Sequence, residues 1–280
     1  MKTLTALASA LLCWAAAGGT NAVSRVALPD VPQIVLEGEH SGHLQDVWYD
    51  GHGHLYWSVT RSIAKTDLTG RILAQSEYID DHQGGLEVRN GRLYTAACMQ
   101  HKKCGGKTTP ECRVTVREYD AETLKPIAAH VTDINDRAGS LAILDDGTYV
   151  VGCLRPQDLQ DAQVRFHHLD RNFKLIRTYV LDNVPVLLGI EVIKKKGQFL
   201  YLCLYGVGKN QRKLDFNCIK LDSAFREVGR GWLTGSVGLV FDGDDVWIGK
   251  TEKNKETKKF KNALHRVDVR KVRAIVTKGP

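Results

Sequence analysis

Histidine, carboxylate, arginine and amide side chains lie just before, or early in, the short apolar segments that recur along this chain of 280 residues. Imidazoles and carboxylates can act as acids, bases or ligands of a transition metal. Arginine and amide groups are suited to hydrogen bonding with an anion or with sugar hydroxyls. From these residues we predict a ligand site that consists of His43, Gln45, Asp46, His82, Gln83, Arg137 and Ser140.

A catalytic alternative uses carboxylates from the same segments. If the chain is an enzyme, Glu87 and Glu191 are its predicted acid and base and His82 assists them. Two carboxyl groups held about 5–10 Å apart can hydrolyse a glycosidic bond. No cofactor is identified, but His43, His82 and Glu191 form an alternative site for a divalent metal. The sequence contains neither a G-x-S-x-G elbow nor a G-x-x-x-x-G-K-[ST] loop, which argues against chemistry that depends on either motif.

A repeat of about 50 residues must position these side chains. Its clearest mark is an aspartate that ends a polar–apolar–Asp triplet at Asp67, Asp120, Asp170, Asp222 and Asp268, with separations of 53, 50, 52 and 46 residues. Such spacing is close to the roughly 40–50 residues of propeller repeats. An aspartate at this point can accept hydrogen bonds from the backbone of the turn that follows it.

Each repeat is predicted to contain four short strands. In the first repeat these are Leu44–Asp50, His54–Thr60, Arg61–Asp67 and Arg71–Tyr78. Asn90-Gly91 and Asp146-Gly147 stand between the first two strands of later repeats, and both dipeptides are strong hairpin signals. The predicted units lie near residues 43–79, 84–131, 139–181, 188–233 and 235–277. A helical fold is disfavoured because no apolar period of 3.6 residues is sustained.

Five such units predict an all-β fold, a five-bladed β-propeller of four-stranded antiparallel blades within one domain, residues 23–280. The repeats resemble NHL-like or YVTN-like propeller repeats, which share a K-x-D-x-x-G-x hairpin such as Lys65–Arg71. Asp46, Glu87 and Glu191 on inner strands also resemble the carboxylate set of five-bladed glycoside hydrolases, although the neighbouring residues do not match those families. Either 33–37 or 272–277 can supply the outer strand of the last blade, and the sequence leaves this open.

The first 22 residues are typical of a signal peptide, with Lys2, an apolar run from Leu4 to Ala17 and small residues up to Ala22. We therefore expect a protein that is secreted or periplasmic, without a membrane span, and monomeric. Its six remaining cysteines suggest disulfides. Pairing of Cys203 with Cys218 is expected from neighbouring strands, and Cys104 and Cys112 close a loop. Zinc is disfavoured because no C-x-x-C pair exists.

Lysine and arginine gather in the loops that should join the second and third strands. These segments are 101–112, 155–163, 206–215 and 250–261, and they hold thirteen basic and six acidic residues. Their surplus of +7 equals the net charge of the whole chain. Such a face favours an anionic ligand. For residues 250–261 taken alone, the sequence favours an ordinary solvated loop.

The leading hypothesis is an exported propeller that binds an anionic or sugar-like ligand at the mouth of its channel. One alternative is a glycan-processing hydrolase or lyase, and another is a protein-interaction platform that uses the basic face. Specific nucleic-acid binding is disfavoured by the export signal. The sequence does not decide whether the protein is an enzyme.

Overall fold

A computed structural model describes residues 25–98, 113–153, 163–182, 184, 188–206, 216–233 and 237–268. Within these ranges all regular structure is β, in twenty strands arranged as five four-stranded antiparallel sheets. Strand β1 (Gln33–Val35) comes first in the chain. The first sheet then contains β2 (Leu44–Tyr49), β3 (Leu55–Val59), β4 (Ser62–Thr66) and β5 (Ile72–Gln75).

The second, third and fourth sheets repeat this order, with each strand paired to the next along the chain. The second contains β6 (His82–Arg89), β7 (Arg92–Cys98), β8 (Val114–Asp120) and β9 (Pro126–Val131). The third contains β10 (Ala138–Ile143), β11 (Tyr149–Cys153), β12 (Arg165–Leu169) and β13 (Leu175–Val180). The fourth contains β14 (Leu188–Lys196), β15 (Phe199–Gly206), β16 (Cys218–Leu221) and β17 (Glu227–Gly231).

The fifth sheet joins the two ends of the described chain. It contains β18 (Leu239–Asp242), β19 (Asp245–Lys253) and β20 (Phe260–Val267), and β1 pairs with β20 as its outer strand. The inner strands contact one another in the order β2, β6, β10, β14 and β18, and β18 contacts β2 again. The protein is therefore a five-bladed β-propeller, as its repeats predicted. The outer position left open by the sequence is held by Gln33–Val35, and residues 272–277 lie outside the described ranges.

The repeated aspartates cap the turns between third and fourth strands. Asp67 Oδ1 accepts hydrogen bonds from the backbone N–H groups of Thr69 (2.9 Å) and Arg71 (3.2 Å). Asp222 Oδ1 does the same for Ala224 and Arg226, both at 2.9 Å. These bonds satisfy backbone donors that the tight turn leaves without a strand partner. The sequence period therefore reflects one structural element used in successive blades.

The core lies between neighbouring sheets. Trp57 of the first blade and Trp247 of the fifth are 0% and 1% exposed and share one apolar cluster, so these two sheets pack face to face. The indole of Trp57 also donates a hydrogen bond from Nε1 to Thr66 Oγ1 at 2.9 Å. The described part of the chain contains no helix long and apolar enough to cross a membrane.

Candidate functional site

Four of the five inner strands contain a β-bulge at the same level of the propeller axis. The pairing register skips Gln45 in β2, Gly139 in β10 and Glu191 in β14, and shifts across Gly84-Gly85 in β6. A bulge adds one residue to a strand and redirects its side chain, and bulges are frequent beside functional sites. We call these positions the bulge level.

Glycine residues allow the second and third blades to approach each other closely at the bulge level. A Cβ atom at Gly84 would lie 2.2 Å from the Gly139 carbonyl oxygen, so the two backbones touch where no side chain fits. The first and fourth blades instead place Gln45 and Glu191 at this level. Both are almost completely buried, at 0% and 5% exposure.

Glu191 is the least satisfied acid of the axis. Its carboxyl group forms no hydrogen bond with a residue of the described ranges. Burial raises its pKa to about 7, and the negative charge of Asp46 adds to this effect while Arg137 opposes it. The Glu191 oxygens are not among the enclosed polar atoms that lack a partner, so they reach the space along the axis, where water or a ligand can form hydrogen bonds with them.

Asp46, by contrast, has protein partners on both carboxylate oxygens. Oδ1 accepts from the Val47 N–H at 2.8 Å, and Oδ2 accepts from the Leu86 N–H at 3.0 Å and from Lys194 Nζ at 2.7 Å. Burial raises the pKa of Asp46, while Lys194 and the two N–H groups favour its ionised form. Because Asp46 is 0% exposed and its three hydrogen bonds are all internal, it acts within the protein and not on a substrate.

Lys194 is a residue that the sequence analysis missed. It lies in the run Lys194–Lys196 at the end of β14, which resembles an exposed strand end, yet it is 3% exposed. Its Nζ joins Asp46 to the Leu86 carbonyl, 3.3 Å away, and lies 5.0 Å from the Trp48 ring. The sequence did contain a signal for this burial. Side chains two positions apart on a strand lie on the same face, and Lys194 follows the buried Val192 by two positions.

Glu87 has one protein partner. Its Oε2 accepts a hydrogen bond from the Ile143 N–H at 2.9 Å, which links the second and third blades. Burial raises the pKa of Glu87 to about 7, and the Ile143 N–H and Lys194 oppose the shift. Glu87 is therefore a second acid that is partly protonated near neutral pH, but one of its oxygens already has a structural role.

The inner strands begin at one face of the propeller, which we call the upper face. His43, His82 and Arg137 lie there at equivalent positions, two residues before the bulge in each of the first three blades. The rings of His43 and His82 are 6.3 Å apart. We call these three residues the mouth residues. Of the predicted ligand residues, His43 and His82 thus lie side by side, and Arg137 holds the equivalent position in the third blade.

His43 is held as a neutral hydrogen-bond acceptor. Gln45 Nε2 donates to its Nε2 at 2.6 Å, so the ring proton lies on Nδ1, which is 3.3 Å from Thr60 Oγ1. Burial lowers the pKa of His43, in agreement with a neutral ring. Two amide atoms in this region, Gln45 Oε1 and Gln83 Nε2, are buried and lack a hydrogen-bond partner among the described residues. Because Gln45 and Gln83 are both 0% exposed, these two atoms are enclosed by the protein below the mouth. Ser140 Oγ instead donates to the Ile190 carbonyl at 3.3 Å.

The predicted metal alternative is not favoured by the geometry. In the described ranges, the group whose ligand atoms all lie within 4.8 Å of one another is Asp136, Cys153 and His167 rather than His43, His82 and Glu191. Asp136 Oδ2 already binds Arg165 Nε at 2.5 Å, and His167 Nε2 lies 3.3 Å from it. Arginine therefore neutralises this buried carboxylate, and the cluster is explained by its internal bonds.

The expected pairing of Cys203 and Cys218 needs correction. The two residues are direct partners on β15 and β16, as the sequence suggested, but their Sγ atoms are 4.0 Å apart. A disulfide requires about 2.05 Å. Cys153, Cys203 and Cys218 are buried free thiols. Cys104 and Cys112 lie outside the described residues, as do the signal segment 1–22 and three of the four basic loops, apart from their end residues.

No protein-family model matches this sequence, and no curated protein matches it. Solved structures do resemble its fold. An exo-β-1,3-galactanase from Phanerochaete chrysosporium aligns with a TM-score of 0.55 at 11% identity, over 88% of this chain and 64% of that one. A xylan β-1,4-xylosidase from Bacillus halodurans aligns with a TM-score of 0.50 at 11% identity, over 89% of this chain and 54% of that one. This chain thus spans about half to two thirds of each enzyme.

These comparisons and the sheet topology define the class of protein as a β-propeller, which is the level at which the sequence resemblance was made. At such low identity the likeness concerns the fold alone. The NHL-like or YVTN-like character of the repeats stays a prediction.

Proposed function

We propose that this protein is an exported β-propeller that binds an acidic saccharide in its axial site. Export rests on the composition of residues 1–22. The observation that carries the ligand proposal is the carboxyl group of Glu191, which is buried at a bulge and forms no hydrogen bond with the described protein. Below its pKa of about 7 this group donates one hydrogen bond and accepts others, which suits a sugar hydroxyl.

The mouth residues supply the preference for an acidic sugar. Arg137 is 7% exposed and lies close enough to Glu191 to oppose the rise in its pKa. A guanidinium group binds carboxylate or sulfate through parallel hydrogen bonds. The rings of His43 and His82 lie in the same mouth, 6.3 Å apart. That two proteins of similar fold are named for acting on galactan and xylan supports a glycan ligand, at the level of fold.

Hydrolysis is the second candidate, and one observation favours it. Glu87 and Glu191 both have pKa values raised to about 7, as a catalytic acid requires. A glycosidase also needs an ionised carboxylate that faces the substrate. Asp46 is the acid whose bonds favour ionisation, but all of them are internal. Binding without turnover is therefore the function that the geometry supports better.

The test compares matched sugars that differ only in charge. Galacturonic acid and galactose are titrated into the full-length mature protein by calorimetry at pH 6, and products are analysed after long incubation. We expect galacturonic acid to bind more tightly than galactose. Glu191→Gln should weaken both, because it alters the shared hydroxyl contact, and Arg137→Gln should remove the preference for the acid.

Glu77→Gln is the matched control, because Glu77 is exposed on the outer side of the first blade. This variant should bind like the wild type. The proposal would be overturned if Glu191→Gln and Arg137→Gln both bound the saccharides like the wild type. It would also be overturned if the wild type bound none of the acidic and neutral saccharides tried. Release of a shortened product that is lost in Glu191→Gln would establish the hydrolase instead.

A further inference from the structure

One of the four basic segments lies within the described chain, and it forms a β-hairpin. Residues 250–261, which we call the basic hairpin, join the ends of β19 and β20. Strand β19 pairs with β18 only as far as Ile248, but with β20 as far as Lys253 opposite Phe260. Beyond Ile248, β19 continues for five residues, or roughly 17 Å, in which its described partner is β20.

The basic hairpin is fixed to the body of the propeller. Glu39 accepts hydrogen bonds from Asn254 Nδ2 at 2.9 Å and from Thr257 Oγ1 at 3.0 Å. Phe260 exchanges two backbone hydrogen bonds with His40, at 2.9 and 2.8 Å. These bonds hold the backbone of the hairpin beside the segment that leads into the first blade, and its lysine side chains are exposed to solvent.

Its positive charge is balanced only in part by the protein, through its own two glutamates and through Glu39, whose pKa is lowered by its hydrogen bonds to Asn254 and Thr257 and, to a smaller extent, by Lys261 and Lys259. The segment contains six lysines and two glutamates, and all six lysines are exposed. None of the six forms an ion pair with another residue in the ranges that the structure describes. Like charges that are held together repel one another, and they attract an extended anion to the surface that carries them.

A chain of contacts leads from the basic hairpin to the mouth residues. Lys253 Nζ lies 5.5 Å from the centre of the Phe260 ring, and that ring lies 5.9 Å from His43. His43 in turn lies 6.3 Å from His82. Lys253 and Phe260 are cross-strand partners two positions from the buried pair Thr251 and Asn262, so they share the side of the hairpin that faces the first blade.

We infer that the ligand is a linear polyanionic saccharide rather than a single acidic sugar. Its terminal unit occupies the axial site, and the units that follow lie along the basic hairpin. The inference rests on the proposed function, because the axial site must bind an acidic sugar for the hairpin to extend it. Exposed lysines recognise the negative charge of a saccharide and not the identity or linkage of its sugars. They are therefore suited to a repeating chain with one charge per unit.

The experiment separates the hairpin from the axial site by chain length. Galacturonic acid and a galacturonate decasaccharide are titrated into the wild type, into Lys253→Gln/Lys258→Gln, and into a control with the same loss of charge, Lys125→Gln/Lys174→Gln. Lys125 and Lys174 are exposed on turns between third and fourth strands, at the face opposite the mouth. A single-stranded DNA decamer and vesicles containing phosphatidylserine serve as other polyanions.

We expect the decasaccharide to bind more tightly than the monosaccharide, and the hairpin variant to lose about tenfold in decasaccharide affinity at low salt. The monosaccharide should bind equally to the wild type and to both variants. The control should bind the decasaccharide like the wild type, and added salt should reduce the difference between the variants.

Equal decasaccharide affinity in the hairpin variant and the control would overturn the inference while leaving the axial site intact, provided that galacturonic acid still binds. Loss of binding to both saccharides in every protein would instead refute the proposed function. Tighter, lysine-dependent binding of the DNA or the vesicles would also overturn the inference, because the hairpin would then serve another class of anion.

Discussion

Replacement of Glu191 by glutamine should change how the stability of the protein depends on pH. The pKa of Glu191 rises from an ordinary 4.5 to about 7 on folding, because burial disfavours the charged form. Between these two values the folded state binds more protons than the unfolded state. The free energy of unfolding must therefore fall as pH rises through this window.

The size of the effect follows from the shift. The rise of the Glu191 pKa from 4.5 to about 7 corresponds to a loss of about 3 kcal/mol in the free energy of unfolding between pH 4 and pH 8, since each pKa unit is worth about 1.4 kcal/mol. Glutamine has nearly the same shape and no charge at either pH. Relative to the wild type, Glu191→Gln should therefore gain about 3 kcal/mol of stability between pH 4 and pH 8.

Urea denaturation of both proteins at a series of pH values measures this difference directly. Titrating groups that do not interact with Glu191 contribute equally to both proteins and cancel in the comparison, whereas Asp46, whose charge acts on Glu191, does not. The exposed Glu77→Gln variant should show no such trend. A constant stability difference between wild type and Glu191→Gln over this range would refute the assignment of a buried, raised-pKa carboxyl at the bulge.

Three further outcomes follow from the same geometry. The affinity for an acidic saccharide should fall above pH 7, by up to tenfold per pH unit in calorimetry, as Glu191 ionises and repels the ligand. Lys194→Met should cost about 3–5 kcal/mol in urea denaturation at neutral pH, because it leaves the carboxylate of Asp46 buried without its counter-charge. Gly84→Ala should destabilise the fold by about 3 kcal/mol or more, because the new methyl group would overlap the Gly139 carbonyl, and a loss below 1 kcal/mol would show that the blades can separate there.

The sequence predicted the architecture well because its signals are local and repeated. Asp67 and Asp222 cap their turns through bonds to residues two and four positions later, so their spacing survives in the sequence as a period. Turn dipeptides such as Asn90-Gly91 fix the hairpins in the same way. Closure of the ring was the exception, because pairing of β1 with β20 joins residues more than 200 positions apart.

The site was harder to predict because its chemistry depends on contacts between blades. Asp46 and Glu191 belong to equivalent inner strands and looked alike in the sequence. Lys194, which is 148 positions from Asp46, neutralises one of these acids and leaves the other without a bond. No local pattern reveals such a pairing. Cys203 and Cys218 illustrate the same limit of sequence reasoning. Their positions opposite each other on neighbouring strands were predicted correctly, but their thiols do not form a disulfide.

The bulge level differs from blade to blade, and this difference explains how one part of the axis can be closed while another part can bind a ligand. A five-fold ring of identical bulges would fill the axis with side chains or leave an open pore. Here the second and third blades meet through Gly84 and Gly139, which seals that side with backbone, while the first and fourth blades contribute Gln45 and Glu191. Gln45 and Glu191 thus lie on the two blades that flank the fifth, which carries the basic hairpin. Repeats that are equivalent in fold have diverged at this one level, and that divergence creates the site.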